Sequence, residues 1–319
     1  MRRYGAALIG YYGFGNLGDE LLLKACIDLL LECGIGRERI AVLSNNPEDT
    51  SEKFQVYAVN RWSLREVDGV LRASERLIFG GGGIFQDRTS VKSCAWYWGI
   101  TRLAVMRGVK VHAIGQSVGP LRSKLSRILT GDSLRRFGIL HVRDERSLRF
   151  SESLGCRNVV RGCDLVMTLR PENAAPKSAA PKRMLVNLRP CPELERYVRI
   201  LRGRINADTL GAALSPEDEE ALMTLGINEI VRVRSFGEAE ELWRLAGCAA
   251  GMRLHFGVLS RIFRTPLVMM PYDVKVNEFA EQSGVPCVSD EWIEPVMPSE
   301  IPASVNDETA EVFREIMRS

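Results

Sequence analysis

The chain has 319 residues, 45% of them hydrophobic and 26% charged, with a formal net charge of only +3. That length accommodates two domains of ordinary size, each with its own core, and the near-neutral balance excludes a nucleic-acid partner held by bulk charge. The eight cysteines form no C-x-x-C pair and the three histidines have no metal-ligand spacing, which predicts reduced thiols and no metal site.

At the amino end, Met1-Arg2-Arg3 runs straight into a strand-like segment too short for a signal region, and no stretch is apolar over a membrane-spanning length. The expected location is cytoplasmic, with the inner face of the membrane as a possible station. Short apolar runs then alternate with longer helix-like stretches: Gly5–Ile9, Ile40–Leu43, Gln55–Val59, Leu77–Phe79, Lys110–Ile114, Ile139–Val142 and Asn158–Val160. This βαβ rhythm predicts a mostly parallel sheet covered by helices on both faces, with ligands beyond the carboxyl ends of the strands.

The first run leads into Gly10-Tyr-Tyr-Gly-Phe-Gly-Asn-Leu-Gly-Asp-Glu20 and a helix beginning near Leu21. Gly13, Gly15 and Gly18 fit G-x-G-x-x-G, a turn that brings backbone N–H groups to an anion at a helix N-terminus. A nicotinamide dinucleotide is disfavoured, because the second run ends in Ser44-Asn45-Asn46 where such enzymes offer a carboxylate to the ribose. The alternative is a tight turn that lets helix and strand pack closely. Four glycines, Gly80 to Gly83, follow Leu77–Phe79 as an expected loop; a stretch so costly in backbone entropy points to a site lining. Trp96, Tyr97 and Trp98 suit either stacking on a sugar ring or a core cluster.

The fifth run ends in Gly115-Gln116-Ser117-Val118-Gly119-Pro120 and the sixth in Arg143-Asp144-Glu145-Arg146-Ser147. Arg143, at a strand's carboxyl end, is placed either to grip a carboxylate or phosphate or to pair with Asp144 or Glu145. The basic residues Arg122, Lys124, Arg127, Arg135 and Arg136, facing only Asp132, suit a solvated helix face or a landing surface for an anionic substrate or membrane.

Arg170 to Lys182, with three prolines and no apolar periodicity, is the expected linker. It divides the chain into domains at 1–171 and 183–319, joined by residues 172–182. The rhythm resumes with Met184–Leu188, Glu229–Val233, a helix near Glu238–Leu245, strands at Met252–Leu254, Leu267–Met270 and Pro286–Val288, and a helix over Glu308–Met317. The predicted fold is α/β, two doubly wound Rossmann-like domains facing a cleft. Arg253, His255 and Lys275 sit at strand-to-helix junctions, positions that favour function over a purely structural histidine.

The ordered set Gly10–Glu20, Gly80–Gly83, Gly115–Pro120, Val142–Ser147, Met252–His255 and Tyr272–Lys275 resembles the polysaccharide pyruvyl transferase family over nearly the whole chain. The resemblance implies a fold similar to B-type glycosyltransferases. It implies transfer of the pyruvyl group of phosphoenolpyruvate to a sugar, expected to be an N-acetylhexosamine of an envelope polysaccharide precursor. Arg143, His255 and Lys275 then correspond to residues of donor binding or turnover, and the glycine loop lines the site. The shorter Leu188–Met252 stretch leaves room for one unit fewer in the second domain, and Leu165 stands after Asp164 where the family often has proline.

On that basis His255 is the expected acid, because imidazole titrates near working pH, and Asp19 the expected base. Arg143, Lys275 and Arg253 are expected to hold the donor's two anionic groups. Gly13, Gly15, Asn16, Gly18, Gly82, Gly83 and Gln116 are expected to line the substrate site. No cofactor or metal is expected; the partners are phosphoenolpyruvate and a sugar acceptor, lipid-linked or free, and a peripheral anionic membrane contact. The donor is expected between the domains, whose closure assembles the site. The rival readings are a B-type glycosyltransferase using a nucleotide sugar, with Glu278 or Glu281 on the ribose, and a non-catalytic binding protein of the same fold.

Overall fold

All seven apolar runs of the first half become strands, and they are parallel throughout. The computed structural model describes residues 2–88, 90–171 and 183–319; the expected linker at 172–182 lies outside the described residues. The elements are β1 (Ala6–Ile9), α1 (Leu17–Glu32), β2 (Ile40–Ser44), α2 (Pro47–Phe54), β3 (Tyr57–Asn60), α3 (Leu64–Ala73), β4 (Arg76–Phe85), α4 (Val91–Met106), β5 (Lys110–Val118), α5 (Lys124–Leu134), β6 (Leu140–Val142), α6 (Glu145–Ser153) and β7 (Val159–Arg161). Their sheet order is β3-β2-β1-β4-β5-β6-β7, so the chain reverses direction of travel between β1 and β4. Strands β1 and β2 are buried at every position, which is why they read as unbroken apolar runs rather than alternations.

Helix starts follow side-chain chemistry. Asn46, Ser63 and Asp144 accept hydrogen bonds from the backbone N–H of Asp49, Glu66 and Ser147, satisfying donors that α2, α3 and α6 would otherwise leave bare. Beneath them Phe79, Phe85, Tyr97 and Phe137 form a ring cluster with centroids 5.1 to 6.1 Å apart.

The second sheet is smaller, with five strands. It contains β8 (Arg183–Asn187), α7 (Leu194–Leu201), β9 (Thr209–Ala213), α8 (Pro216–Met223), β10 (Glu229–Arg232), α9 (Phe236–Arg244), β11 (Ala246–Gly251), α10 (Leu254–Ile262), β12 (Leu267–Met269) and α11 (Val274–Ser283). The order is β10-β9-β8-β11-β12, again all parallel, with its reversal between β8 and β11. The chain ends in α12 (Ser304–Arg318).

Several expectations need correction. The four glycines lie within β4, not in a loop after it, and the strand runs on to Phe85 with a register shift beyond Gly82. The strand expected at Met252–Leu254 is instead β11, ending at Gly251, and Leu254 already opens α10. Strand β9 was not anticipated, and Pro286–Val288 contributes only an isolated bridge between Met269 and Cys287. Strand β11 consists of Ala, Gly and Cys, and β9 has Thr209 as its single β-branched residue, so neither carries the pattern that marks a strand in sequence. The small residues serve packing: a Cβ on Gly251 would collide with the Phe256 ring, and one on Gly211 would crowd Ile230 and Leu222.

Two compact units result, and the division is not one cut. The first comprises Met1–Phe14, Asp19–Thr168 and Ala303–Ser319; the second comprises Gly15–Gly18 and Leu169–Pro302. Helix α12 belongs to the first unit, where Phe313 and Ile316 are fully buried. Arg76 of β4 donates to the carbonyls of Ile316 and Met317 at 2.9 and 2.6 Å, capping the helix's last turn.

Candidate functional site

In the first unit the reversal point lies between the carboxyl ends of β1 and β4. Tyr12 fills it from below, its hydroxyl donating to the Gly80 carbonyl at 2.6 Å. A Cβ on Gly80 would strike Tyr12, and one on Gly81 would meet Leu22, so these two glycines serve packing. Gly82, at φ +87°, faces Asp19, whose Oδ1 stands 3.4 Å from where a Cβ would be. Gly83 is the one glycine of the four that is not fully buried. Asp19 and Gly82 are thus brought together.

The expected phosphate cradle looks different. Gly13 adopts φ +77°, but its N–H donates to Glu20 Oε1 at 2.8 Å, and an anion cannot take that donor while the carboxylate holds it. Glu20 is 7% exposed, and its Oε2 has no hydrogen-bond partner among the described residues. Burial raises its pKa to about 7 against the lowering pull of the Gly13 N–H. The carboxyl therefore exchanges a proton near neutral pH. Residues Gly15, Asn16 and Gly18 have separate tasks within the second unit. The Gly15 carbonyl accepts from Arg232 at 2.8 Å, the Leu17 N–H donates to Leu214, and Asn16 accepts from the Gly18 N–H at 3.1 Å. A Cβ on Gly18 would overlap the His255 imidazole.

Gln116 is fully buried and donates to the carbonyls of Phe79 and Gly81 at 3.1 and 3.0 Å, which fixes the glycine backbone of β4. Arg143 leaves β6 with its side chain 8% exposed. Its close carboxylate is Asp164 at 2.6 Å, with Ser117 accepting from Nε at 2.6 Å; Asp144, the neighbour expected from sequence, is 3.9 Å away. The three aromatic residues of α4 divide their roles. Tyr97 joins the core, Trp96 lies 5.0 Å from Trp62, and Trp98 donates to Asp132 at 2.8 Å.

In the second unit the reversal point lies between β8 and β11. Arg253, which follows β11, is 8% exposed and bound to Asp218 and Glu217 at 2.6 Å. Burial alone would lower its pKa, yet the two carboxylates raise it well above the ordinary value. Asn187, at the end of β8, completes this brace by accepting from the Arg253 N–H at 3.0 Å and donating to Asp218 at 3.2 Å. Arg253 is therefore committed to holding the loop, where sequence had expected it to hold the donor. His255 occupies the second position of α10, and Lys275 the second position of α11, whose cap Asp273 accepts from its N–H at 3.2 Å.

Arg189, two residues beyond β8, was not singled out from sequence. Its guanidinium lies 4.4 Å from the centre of the Tyr272 ring and donates to the Tyr272 hydroxyl at 2.8 Å. Its side chain is 26% exposed, and Glu217 stands 3.7 Å off. The rule that ligands meet the carboxyl ends of strands would have found it, since Met184–Leu188 was read as a strand. Glu20 had no comparable signal, because burial of one acid of an Asp-Glu pair is decided by packing.

Residues 16–274 match the family described as "Polysaccharide pyruvyl transferase". The chain belongs to that family. Within it, a curated relative is the amylovoran biosynthesis protein AmsJ of Erwinia amylovora, 24% identical over an alignment covering 95% of this chain and 82% of AmsJ. The family match takes in Asp19, Glu20, Arg143, Arg189 and His255 and stops one residue before Lys275. Among solved structures, the UDP-GlcNAc 2-epimerase of Methanocaldococcus jannaschii superposes with a TM-score of 0.64 at 12% identity, covering 98% of this chain and 99% of that one. The S. aureus MnaA–UDP co-structure gives 0.59 at 11% identity, covering 100% and 89%. These likenesses concern the fold, which is that of B-type glycosyltransferases: two Rossmann-like units, each a parallel sheet with alternating helices. Among the described residues, no group of three or more His, Cys, Asp or Glu is arranged to hold a metal ion, and no helix is long and apolar enough to cross a membrane.

Proposed function

We propose that this pyruvyl transferase family member takes its pyruvyl group from phosphoenolpyruvate and forms a ketal on a sugar of a polysaccharide precursor. An N-acetylhexosamine acceptor in envelope polysaccharide synthesis fits best. The observation that carries the reading is the sequence of groups leaving three adjacent strands of the second unit. Arg189 follows β8, His255 follows β11, and Lys275 follows β12. A guanidinium and an imidazole at the reversal point, with an ammonium after the next strand, suit a small donor with a carboxylate and a phosphate. The amino end of α10, beside His255, adds a dipole that favours an anion.

The chemistry asks for a proton at C3 of the donor, which makes C2 an oxocarbenium-like electrophile. One sugar hydroxyl adds to C2, the C2–O bond to phosphate breaks, and a second hydroxyl closes the ring. Of the two hydroxyl protons released, one balances the proton delivered to C3 and the other leaves with phosphate. His255 is assigned as the acid. Arg189 and Lys275 stabilise the negative charge that grows on the departing phosphate. Asp19 is assigned as base for the acceptor hydroxyl, with Gly82 packed beside it. Arg143, held by Asp164 and Ser117, is left out of the donor's contacts on the same ground as Arg253.

Incubation with phosphoenolpyruvate and a panel of N-acetylhexosamine acceptors tests the reading, with phosphate release and a ketal-bearing product followed by mass spectrometry. Thermal stabilisation by UDP- or GDP-sugars, with none by phosphoenolpyruvate, would replace it with nucleotide-sugar transfer.

A further inference from the structure

Helix α5 buries Leu134 in the core at its carboxyl end, but its first turns are packed the other way. Its buried positions include Ser126, Thr130 and Ser133, each 0 or 1% exposed, whereas Leu125 and Ile128 are 54% and 65% exposed. A surface helix ordinarily turns its large aliphatic residues inward and its small polar residues to water. Here the small residues face the body of the first unit, where α5 packs along α4. Leu125 and Ile128, three apart, share one face. They form an exposed aliphatic pair on one short helix, a feature that gains meaning from the charges set around it.

The charges around the pair say what it meets. Arg122, Lys124 and Arg127 are all exposed and interleave with the two aliphatic residues. The carboxylates within reach are already used: Asp132 accepts from Arg136 at 2.9 Å and from Trp98 at 2.8 Å. Asp87 accepts the backbone N–H groups of Arg122 and Ser123 at 2.8 Å. The face presents aliphatic and cationic side chains, and the two neighbouring carboxylates are engaged with Arg136, Trp98 and the backbone ahead of α5. A second copy of the chain is a poor occupant, because a two-fold contact sets the same three cations against themselves.

We propose that this face of α5 docks on an anionic phospholipid bilayer. Leu125 and Ile128 enter the boundary between headgroups and acyl chains, and Arg122, Lys124 and Arg127 meet the lipid phosphates. The inference is independent of the transfer chemistry, since it rests on a face of the first unit that contains none of the assigned reacting groups.

Co-sedimentation of the full chain with phosphatidylcholine vesicles, with and without phosphatidylglycerol, tests it. The expected result is binding at least about tenfold stronger to the anionic vesicles, weakening as salt is added. Leu125→Ser with Ile128→Ser should reduce that binding about tenfold and leave the thermal midpoint unchanged, because neither side chain is in the core. Lys124→Ser with Arg127→Ser should reduce it similarly. Equal sedimentation with both vesicle types, or variants that bind like the parent, would overturn the proposal. So would a dimer in sedimentation velocity that the Leu125/Ile128 variant dissociates.

Discussion

His255 and Arg189 carry different kinds of work, and their variants should separate. Replacing His255 with Ala removes the proposed acid without disturbing the core, so turnover should fall by about a hundredfold or more while phosphoenolpyruvate still protects against heating. Arg189→Met removes a charged donor pair and should raise the Michaelis constant for phosphoenolpyruvate by roughly tenfold to a hundredfold, with a smaller change in turnover. Phosphate-release kinetics on the two variants distinguish these outcomes; full activity of His255→Ala removes that residue from the mechanism. Glu20 gives a pH test. Its pKa is raised to about 7 from 4.5, so its stabilising contribution is complete below about pH 4.5 and lost as pH rises through 7. That amounts to about 3 kcal/mol across the window. Glu20→Gln should therefore gain stability relative to the parent as pH rises from 5 to 8, read as the difference in thermal midpoints. A constant difference would mean the carboxyl is ionised throughout.

Loops ending two strands set the scale above. Gly13 stands at φ +77°, and a Cβ there would collide with Ser44 and crowd the Asn45 and Asn46 backbone. Gly13→Ala should cost about 2 kcal/mol or more, measured by denaturant unfolding. Gly18→Ala is the informative contrast. It sits in α1, where Ala is tolerated, but its methyl would displace the His255 ring. Turnover should drop while the unfolding midpoint barely moves. These two glycines belong to one motif and yet answer to different constraints, one steric within the first unit and one set by an imidazole of the second.

At the scale of the whole molecule, the acid sensitivity set by Glu20, His112 and His141 belongs to the first unit. Burial lowers the pKa of His112 and of His141 to about 4, with Arg76 and Lys110 adding to the effect at His112. Groups depressed in this way stabilise the fold above pH 6.5 and lose that contribution as pH falls through 4. Between pH 7 and 5 each histidine gives up roughly 2 kcal/mol, and Glu20 returns a similar amount. The parent should therefore lose about one histidine's worth, and His141→Asn should flatten the fall. The first unit also needs the chain's end. Deleting residues 304–319 removes Phe313 and Ile316 from the core and strips Arg76 of its two carbonyl partners. Insolubility or a large drop in thermal midpoint is expected; an unchanged midpoint would show α12 to be dispensable.

The seven apolar runs of the first half were legible because a parallel strand buried on both faces carries continuous hydrophobicity. The ordered motifs were legible because glycines and charges at strand ends are a one-dimensional trace of the reversal points. So sequence by itself determined the fold class and the family, whereas the end of β11 ahead of His255 was misplaced. Tertiary structure decided what local spacing does not encode. It gave the Gly13 N–H to Glu20, bound Arg253 to Asp218 and Arg143 to Asp164, and added α12 to the first unit. It also turned Leu125 and Ile128 of α5 outward. Each of these depends on which distant side chain reaches a polar group first, and that competition exists only once the chain has packed.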